Sequence, residues 1–159
     1  MFHCEYCGGY DFPDLNLDGV ALLDETSPYA CPMCRQPIVS AVVRDVRIFS
    51  CPNCHGNLID QSKLLPILRL AQSSAPKNEL PPRPPGKSEL GRSVICPSCQ
   101  KKMNSYPYGG PGNIIIQGCE QCRLVWLDFG ELSRIVRAFS EMYSDPDDEL
   151  GAKKKWVAF

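Results

Sequence analysis

Every cysteine of the chain belongs to a Cys-x-x-Cys pair: Cys4/Cys7, Cys31/Cys34, Cys51/Cys54, Cys96/Cys99 and Cys119/Cys122, ten residues in all. Two thiolates separated by two residues can turn back on one tetrahedral ion at about 2.3 Å, and a second pair completes four-coordination. All ten are therefore candidate metal ligands, and zinc, as two or three ions, is the expected cofactor. Iron in a four-thiolate site is chemically allowed.

The pairs can be phased. Cys31-Pro-Met-Cys34 is followed after sixteen residues by Cys51-Pro-Asn-Cys54, and Cys96-Pro-Ser-Cys99 after nineteen by Cys119-Glu-Gln-Cys122. Beyond each second pair the correspondence continues, with Leu58-Ile59-Asp60-Gln61-Ser62-Lys63-Leu64 in register with Trp126-Leu127-Asp128-Phe129-Gly130-Glu131-Leu132. The same unit is present twice.

The run Cys119-Glu-Gln-Cys122-Arg-Leu-Val-Trp126-Leu-Asp128-Phe-Gly130-Glu131-Leu132 resembles the closing half of the small bacterial zinc ribbons named after the transcription factor IIB ribbon. Residues 96 to 137 fit that pattern, and residues 31 to 70 look like a degenerate copy in which Leu58 replaces the Trp, Ser62 the Gly and Lys63 the Glu. The resemblance implies a small metal-stabilised α+β fold: two zinc ribbons, each a β-hairpin with knuckles followed by a helix, joined by a Pro-rich linker. It also implies a partner such as RNA polymerase or another large assembly.

Composition agrees with small metal-stapled modules. The chain has 159 residues with 43% apolar content, diluted by 15 Pro and 12 Gly, which does not suit one large core. No basic and apolar leader follows Met1, and no apolar run is long enough to cross a membrane, so zinc-bound thiolates in a reducing cytoplasm are expected over a disulfide scaffold. Formal charge is −1 but uneven. Residues 1–30 hold six acids and no Lys or Arg, whereas residues 31–72 and 96–139 are modestly basic. Such imbalances fall short of the concentrated basic face of a protein that lives on phosphate contacts. Nucleic-acid binding is thus the alternative reading, behind a protein partner.

Ile38–Val43 and Val46–Phe49 on either side of Arg44-Asp45 read as a hairpin, and Met103–Tyr108 with Asn113–Gln117 as its counterpart. The Gly109-Gly110-Pro111-Gly112 between the latter reads as a turn, since no Lys-Ser/Thr follows and no helix opens there. Leu132, Ile135, Val136, Phe139, Met142 and Tyr143 recur at helical spacing. Asp128 with Glu131 three residues on makes a capping box, a bland role for both acids. Trp126 is expected to pack over the zinc knuckle. A first-copy helix starts near Asp60 or Ser62 and carries more leucines than one ribbon can bury, with Pro66 in its early turns.

The expected organisation is an acidic segment over 1–30 with an extra knuckle, a first ribbon and helix over 31–71, a linker over 72–93, a second ribbon and helix over 94–144, and a tail over 145–159. Five prolines in the linker favour an extended spacer, so the ribbons are expected to be separable bodies. Cys4/Cys7 poses the open question. Either Cys31/Cys34 joins Cys51/Cys54, and Cys4/Cys7 needs outside ligands such as His3, His55, an acid or a partner's side chain; or Cys4/Cys7 joins Cys31/Cys34 and Cys51/Cys54 is stranded. The repeat phasing favours the first. Lys153-Lys154-Lys155-Trp156-Val157-Ala158-Phe159 is either a solvated tail or a docking peptide.

Because all candidate ligands are cysteines and no nucleophile, general base or cofactor loop stands out, a non-catalytic binding or adaptor protein is expected, with no small-molecule substrate. A nucleic-acid-binding, transcription-related regulator is the alternative. Thiol redox or metal transfer at Cys4/Cys7 is a second one.

Overall fold

The computed structural model describes residues 2–3, 10–11, 15–72, 91–108 and 114–143. The hairpin expected around Arg44-Asp45 is β4 (Pro37–Val43) and β5 (Val46–Ser50), antiparallel from Val39↔Ser50 to Val43↔Val46. Arg44 and Asp45 both have left-handed φ, 46° and 64°, as a two-residue type I′ connection requires. Two further strands flank it. β3 (Val20–Ala30) runs antiparallel along β4, and β6 (Asn57–Asp60) pairs with β5 at Phe49↔Leu58 and Ser50↔Asn57. The last eleven residues of the acidic stretch over 1–30 therefore form an edge strand of the first ribbon.

The second copy repeats the plan with β7 (Asn104–Pro107), β8 (Ile115–Cys119) and β9 (Leu124–Leu127). Its expected turn over 109–112 lies outside the described residues, as do Cys4, Cys7, most of the linker and the tail. β6 then pairs with β9, giving one seven-stranded sheet in the order β3-β4-β5-β6-β9-β8-β7. The ribbons are therefore joined in one sheet, contrary to the separable bodies that the proline-rich linker suggests. They share a sheet because Leu58, Ile59, Val125, Trp126 and Leu127 are apolar on both faces, and strands with two apolar faces must be covered on both.

Alternate residues of the central strands feed two cores. Ile59, Val125 and Leu127 face the helices α1 (Gln61–Gln72) and α2 (Glu131–Tyr143), packing with Ile67, Leu68, Leu132 and Ile135 in a core common to both copies. Leu58 and Trp126 face the other way, into a core that contains Cys31, Cys51, Cys96 and Cys119. The surplus of leucines on α1 is thus partly absorbed by the other copy, and Leu65 and Leu70 remain exposed. On α2 the apolar stripe is buried at Leu132, Ile135, Val136 and Phe139, while Met142 is exposed.

The helix starts differ from each other. Asp60 caps α1: its carboxylate accepts from the backbone N–H and the hydroxyl of Ser62, and those bonds hold it below its ordinary pKa. Pro66 sits inside α1, where it has no N–H for the carbonyl four residues back. At α2 the chain turns through Gly130 at φ 84°, a conformation only glycine adopts freely, and the first helical bond runs from Arg134 N–H to the Gly130 carbonyl. Glu131 supplies its half of the expected capping box by accepting from the Asp128 N–H at 2.8 Å. The other half does not come from Asp128. Asp18, on the turn before β3, reaches across and accepts from Gly130 N–H, Ser133 N–H and Ser133 Oγ, each at 2.9 Å.

Candidate metal centres

Each Cys-x-x-Cys pair among the described residues closes one end of a strand pair. Arg35, His55 and Gln100 donate their N–H groups to the carbonyls of Cys31, Cys51 and Cys96, and those cysteines' own N–H groups bond Gln36, Gly56 and Lys101 carbonyls. The residue after every second cysteine, Arg35, His55, Gln100 or Arg123, sits at left-handed φ between 54° and 61°. This tight turn folds the two sulfurs of a pair toward the same point.

Two tetrads result. Cys31, Cys34, Cys51 and Cys54 form one and Cys96, Cys99, Cys119 and Cys122 the other, with all ligand atoms of a set within 4.8 Å of one another. The crossing sulfurs stand at 3.5 Å for Cys31 and Cys54, 3.4 Å for Cys34 and Cys51, and 3.6 Å for Cys99 and Cys119. A tetrahedron of thiolates at about 2.3 Å from its centre has edges of about 3.8 Å, whereas a disulfide brings sulfurs to about 2.05 Å. The donor set and its spacing fit one tetrahedral ion per tetrad. Two ions of the expected two or three are thus provided for. His55 turns elsewhere, its ring 5.3 Å from that of Phe129.

Burial and backbone donors divide each tetrad. The first cysteine of each pair is buried and the second is half exposed. The Gln36 N–H pulls the Cys34 thiol down to about 6, and the Lys101 N–H pulls Cys99 down to about 7. Burial pushes Cys96 up to about 12 and raises Cys31 and Cys54 as well. A cation at the centre reverses this, because a coordinating thiol is deprotonated outright.

Against this geometry, the family described as transcription factor zinc-finger, the transcription factor IIB-type zinc ribbon, matches residues 30–70 and 95–138, more than half of the chain. The chain belongs to that zinc-ribbon family. No curated protein and no solved structure gives a significant match. The two matched regions coincide with the two tetrads, so the ribbon occurs here as two copies. Among the described residues no helix is long and apolar enough to cross a membrane.

Trp126 of the second ribbon is fully buried, as expected, but its ring lies on the knuckle of the first. A Cβ placed on Gly56, two residues after Cys54, would come within 2.2 Å of Trp126 Cζ2. Its indole N–H donates to Asp128 Oδ1 at 3.0 Å, and the other Asp128 oxygen pairs with Arg92, which also donates to Gln117. The Asp128 carboxylate therefore serves the ring and the linker's end, and only its backbone serves the helix. Asp18, Gly56 and Arg92 escaped the sequence reading. Nothing local marks Asp18, whose partners Gly130 and Ser133 are 112 and 115 residues away.

Proposed function

We propose that the chain is a non-catalytic zinc-binding adaptor whose ions fix one rigid two-ribbon platform for a macromolecular partner. The observation that carries this reading is the closure of both tetrads: four cysteines each, with the inner sulfurs buried and the outer ones in the knuckle turns. A set of four protein thiolates leaves no position for water or substrate, and that is the arrangement of structural zinc. The ions supply no reaction step. They hold Cys31, Cys34, Cys51 and Cys54, and Cys96, Cys99, Cys119 and Cys122, in place of the covalent links that so small a core lacks, and can contribute on the order of 10 kcal/mol each to folding.

What remains outward is then the recognising surface. Leu65 and Leu70 of α1 stay exposed, as do Leu17 near Gly130 and Phe129 beside His55 of the first knuckle. A protein partner suits these apolar positions better than a nucleic acid does, since the basic residues of the ribbons are few and dispersed. Elemental analysis of the native chain tests the metal reading, with two zinc ions per chain expected from the eight tetrad cysteines. Sedimentation of native lysate, with and without nuclease, tests the partner. The chain is expected in a nuclease-resistant assembly, from which Leu65→Ser/Leu70→Ser releases it with both ions kept. Release by nuclease, with binding that weakens steeply as salt rises, establishes the transcription-related nucleic-acid reading instead.

A further inference from the structure

Position by position, β7 is the counterpart of β4. Counted from the first cysteine of each ribbon, Ile38 corresponds to Met103, Val39 to Asn104, Ser40 to Ser105, Ala41 to Tyr106, Val42 to Pro107 and Val43 to Tyr108. The hairpin partners keep that register: Val39 faces Ser50 as Asn104 faces Gly118, and Ala41 faces Ile48 as Tyr106 faces Ile116. Ile38 and Met103 are both fully buried. From there on the copies part. Val39 and Val42 are half-buried where Asn104 and Pro107 are exposed, and Ser40, Ala41 and Val43 are buried where Ser105, Tyr106 and Tyr108 are half-buried. The difference is β3, which covers the outer edge of β4.

Among the described residues nothing covers β7 in the same way. It ends the sheet, and β1 (Phe2–His3) and β2 (Tyr10–Asp11) pair only with each other. Residues 91–94, which correspond to the end of β3, form no strand. Pairing begins there, with Ile95 opposite Lys102 and the Met103 N–H on the Val94 carbonyl, but Arg92 is committed to Asp128 and Gln117. The Tyr108 N–H bonds the Ile114 carbonyl on the β8 side, so by strand alternation Ser105 and Pro107 turn their backbone groups outward. The open edge thus offers the Ser105 N–H and the carbonyls of Ser105 and Pro107, beside Tyr106 and Tyr108 on the helix face.

We propose that the β7 edge takes an extended segment of a protein partner, added to the sheet as β3 is added to β4. Backbone bonds hold such a strand, and alternate side chains select it. β3 supplies the pattern. Val20 and Leu22 face Val43 and Ala41, so apolar residues of the partner face Tyr108 and Tyr106, and the residue that meets Pro107 is not a proline, because the Pro107 carbonyl can only accept. A second copy is the poorer occupant, since two four-residue strands bury far less than the roughly 1,200 Å² of a stable interface. The proposal rests on the adaptor reading in taking the partner as protein.

The zinc-loaded full chain is titrated with a fluorescent synthetic peptide of the Val20–Ala30 sequence, while metal content and mass in solution are followed. Saturable binding is expected, with slower amide exchange at Ser105. Ser105→Pro removes the outward N–H and no bond to β8, and is expected to weaken binding about fivefold, the effect of one net hydrogen bond. Pro107→Val supplies an N–H at the place where β4 has that of Val42, and is expected to tighten binding by about the same factor. Both variants are expected to keep two zinc ions. No saturable binding, binding indifferent to both substitutions, or a dimer of the chain that Ser105→Pro dissolves overturns the proposal. Peptide binding that persists when Leu65→Ser/Leu70→Ser fails to release the chain from its assembly removes the leucine surface and keeps this edge.

Discussion

Trp126 in β9 stands directly opposite Leu58 in β6, and Leu58 is its counterpart in the other copy of the repeat, in register from the last cysteine. The neighbours cross over, Asn57 opposite Leu127 and Ile59 opposite Val125, so an approximate two-fold axis passes between Leu58 and Trp126. The two ribbons meet as the subunits of a symmetric dimer would, along one edge strand each. The symmetry is broken where it matters for packing: a large ring on one side, and on the other a leucine with Gly56 making room.

That fit is open to a double-mutant cycle. Gly56→Ala forces a methyl into the Trp126 ring and is expected to destabilise the chain by about 1–3 kcal/mol, as overpacking does. Trp126→Leu, which copies the first ribbon, leaves a cavity and costs about 2–5 kcal/mol. The double variant is expected to be more stable than the sum of the two losses by about 1 kcal/mol or more, measured by denaturant melts of zinc-loaded protein. Strict additivity contradicts the contact.

The Asp18 side chain joins the turn before β3 to both ribbons, accepting from Asn57 of the first and from Gly130 and Ser133 of the second. Asp18→Ala orphans the helix-start donors, and a loss of about 2–4 kcal/mol is expected from a buried cap of this kind. Hydrogen exchange at Gly130 and Ser133 is the sharper measure, since their amides should lose protection before those of β5 do.

Thiol reactivity reports the ligand environment once the ions are removed. Cys34 and Cys99, lowered to about 6 and about 7, are mostly or half thiolate at pH 7, whereas Cys96, raised to about 12, is protonated. Iodoacetamide added together with the chelator at pH 7, so that it competes with the unfolding that metal loss brings, is therefore expected at Cys34 and Cys99 first, with their rates falling as pH drops below those values. Peptide mass mapping checks this, and the ranking should vanish in denaturant. Equal rates in the interval before the metal-free chain unfolds contradict the assignment.

A shared sheet also dictates how the chain comes apart. Removing zinc by chelation is expected to unfold both ribbons in one transition, followed together by Trp126 fluorescence and by far-ultraviolet circular dichroism. Disabling one tetrad alone, through Cys119→Ser/Cys122→Ser, should lower the chelator resistance of the other by more than tenfold. Two independent transitions would restore the picture of beads on a linker.

The local rules of this fold are legible along the chain. Cys-x-x-Cys spacing, the repeat in register, the β-branched runs around Arg44-Asp45 and the apolar spacing of α2 are each written within a few residues, and short-range geometry suffices to read them. Which surfaces those elements bury depends on long-range packing. Periodicity does not tell a strand such as Leu124–Leu127 whether its second apolar face meets solvent, a partner or a sister ribbon, and the proline-rich linker argued for distance. Likewise, Asp128 with Glu131 satisfies a capping pattern locally, while the bond that caps α2 comes from Asp18, over a hundred residues away. Such contacts arise because burial and hydrogen bonding are satisfied by proximity in space, to which separation along the chain gives no guide.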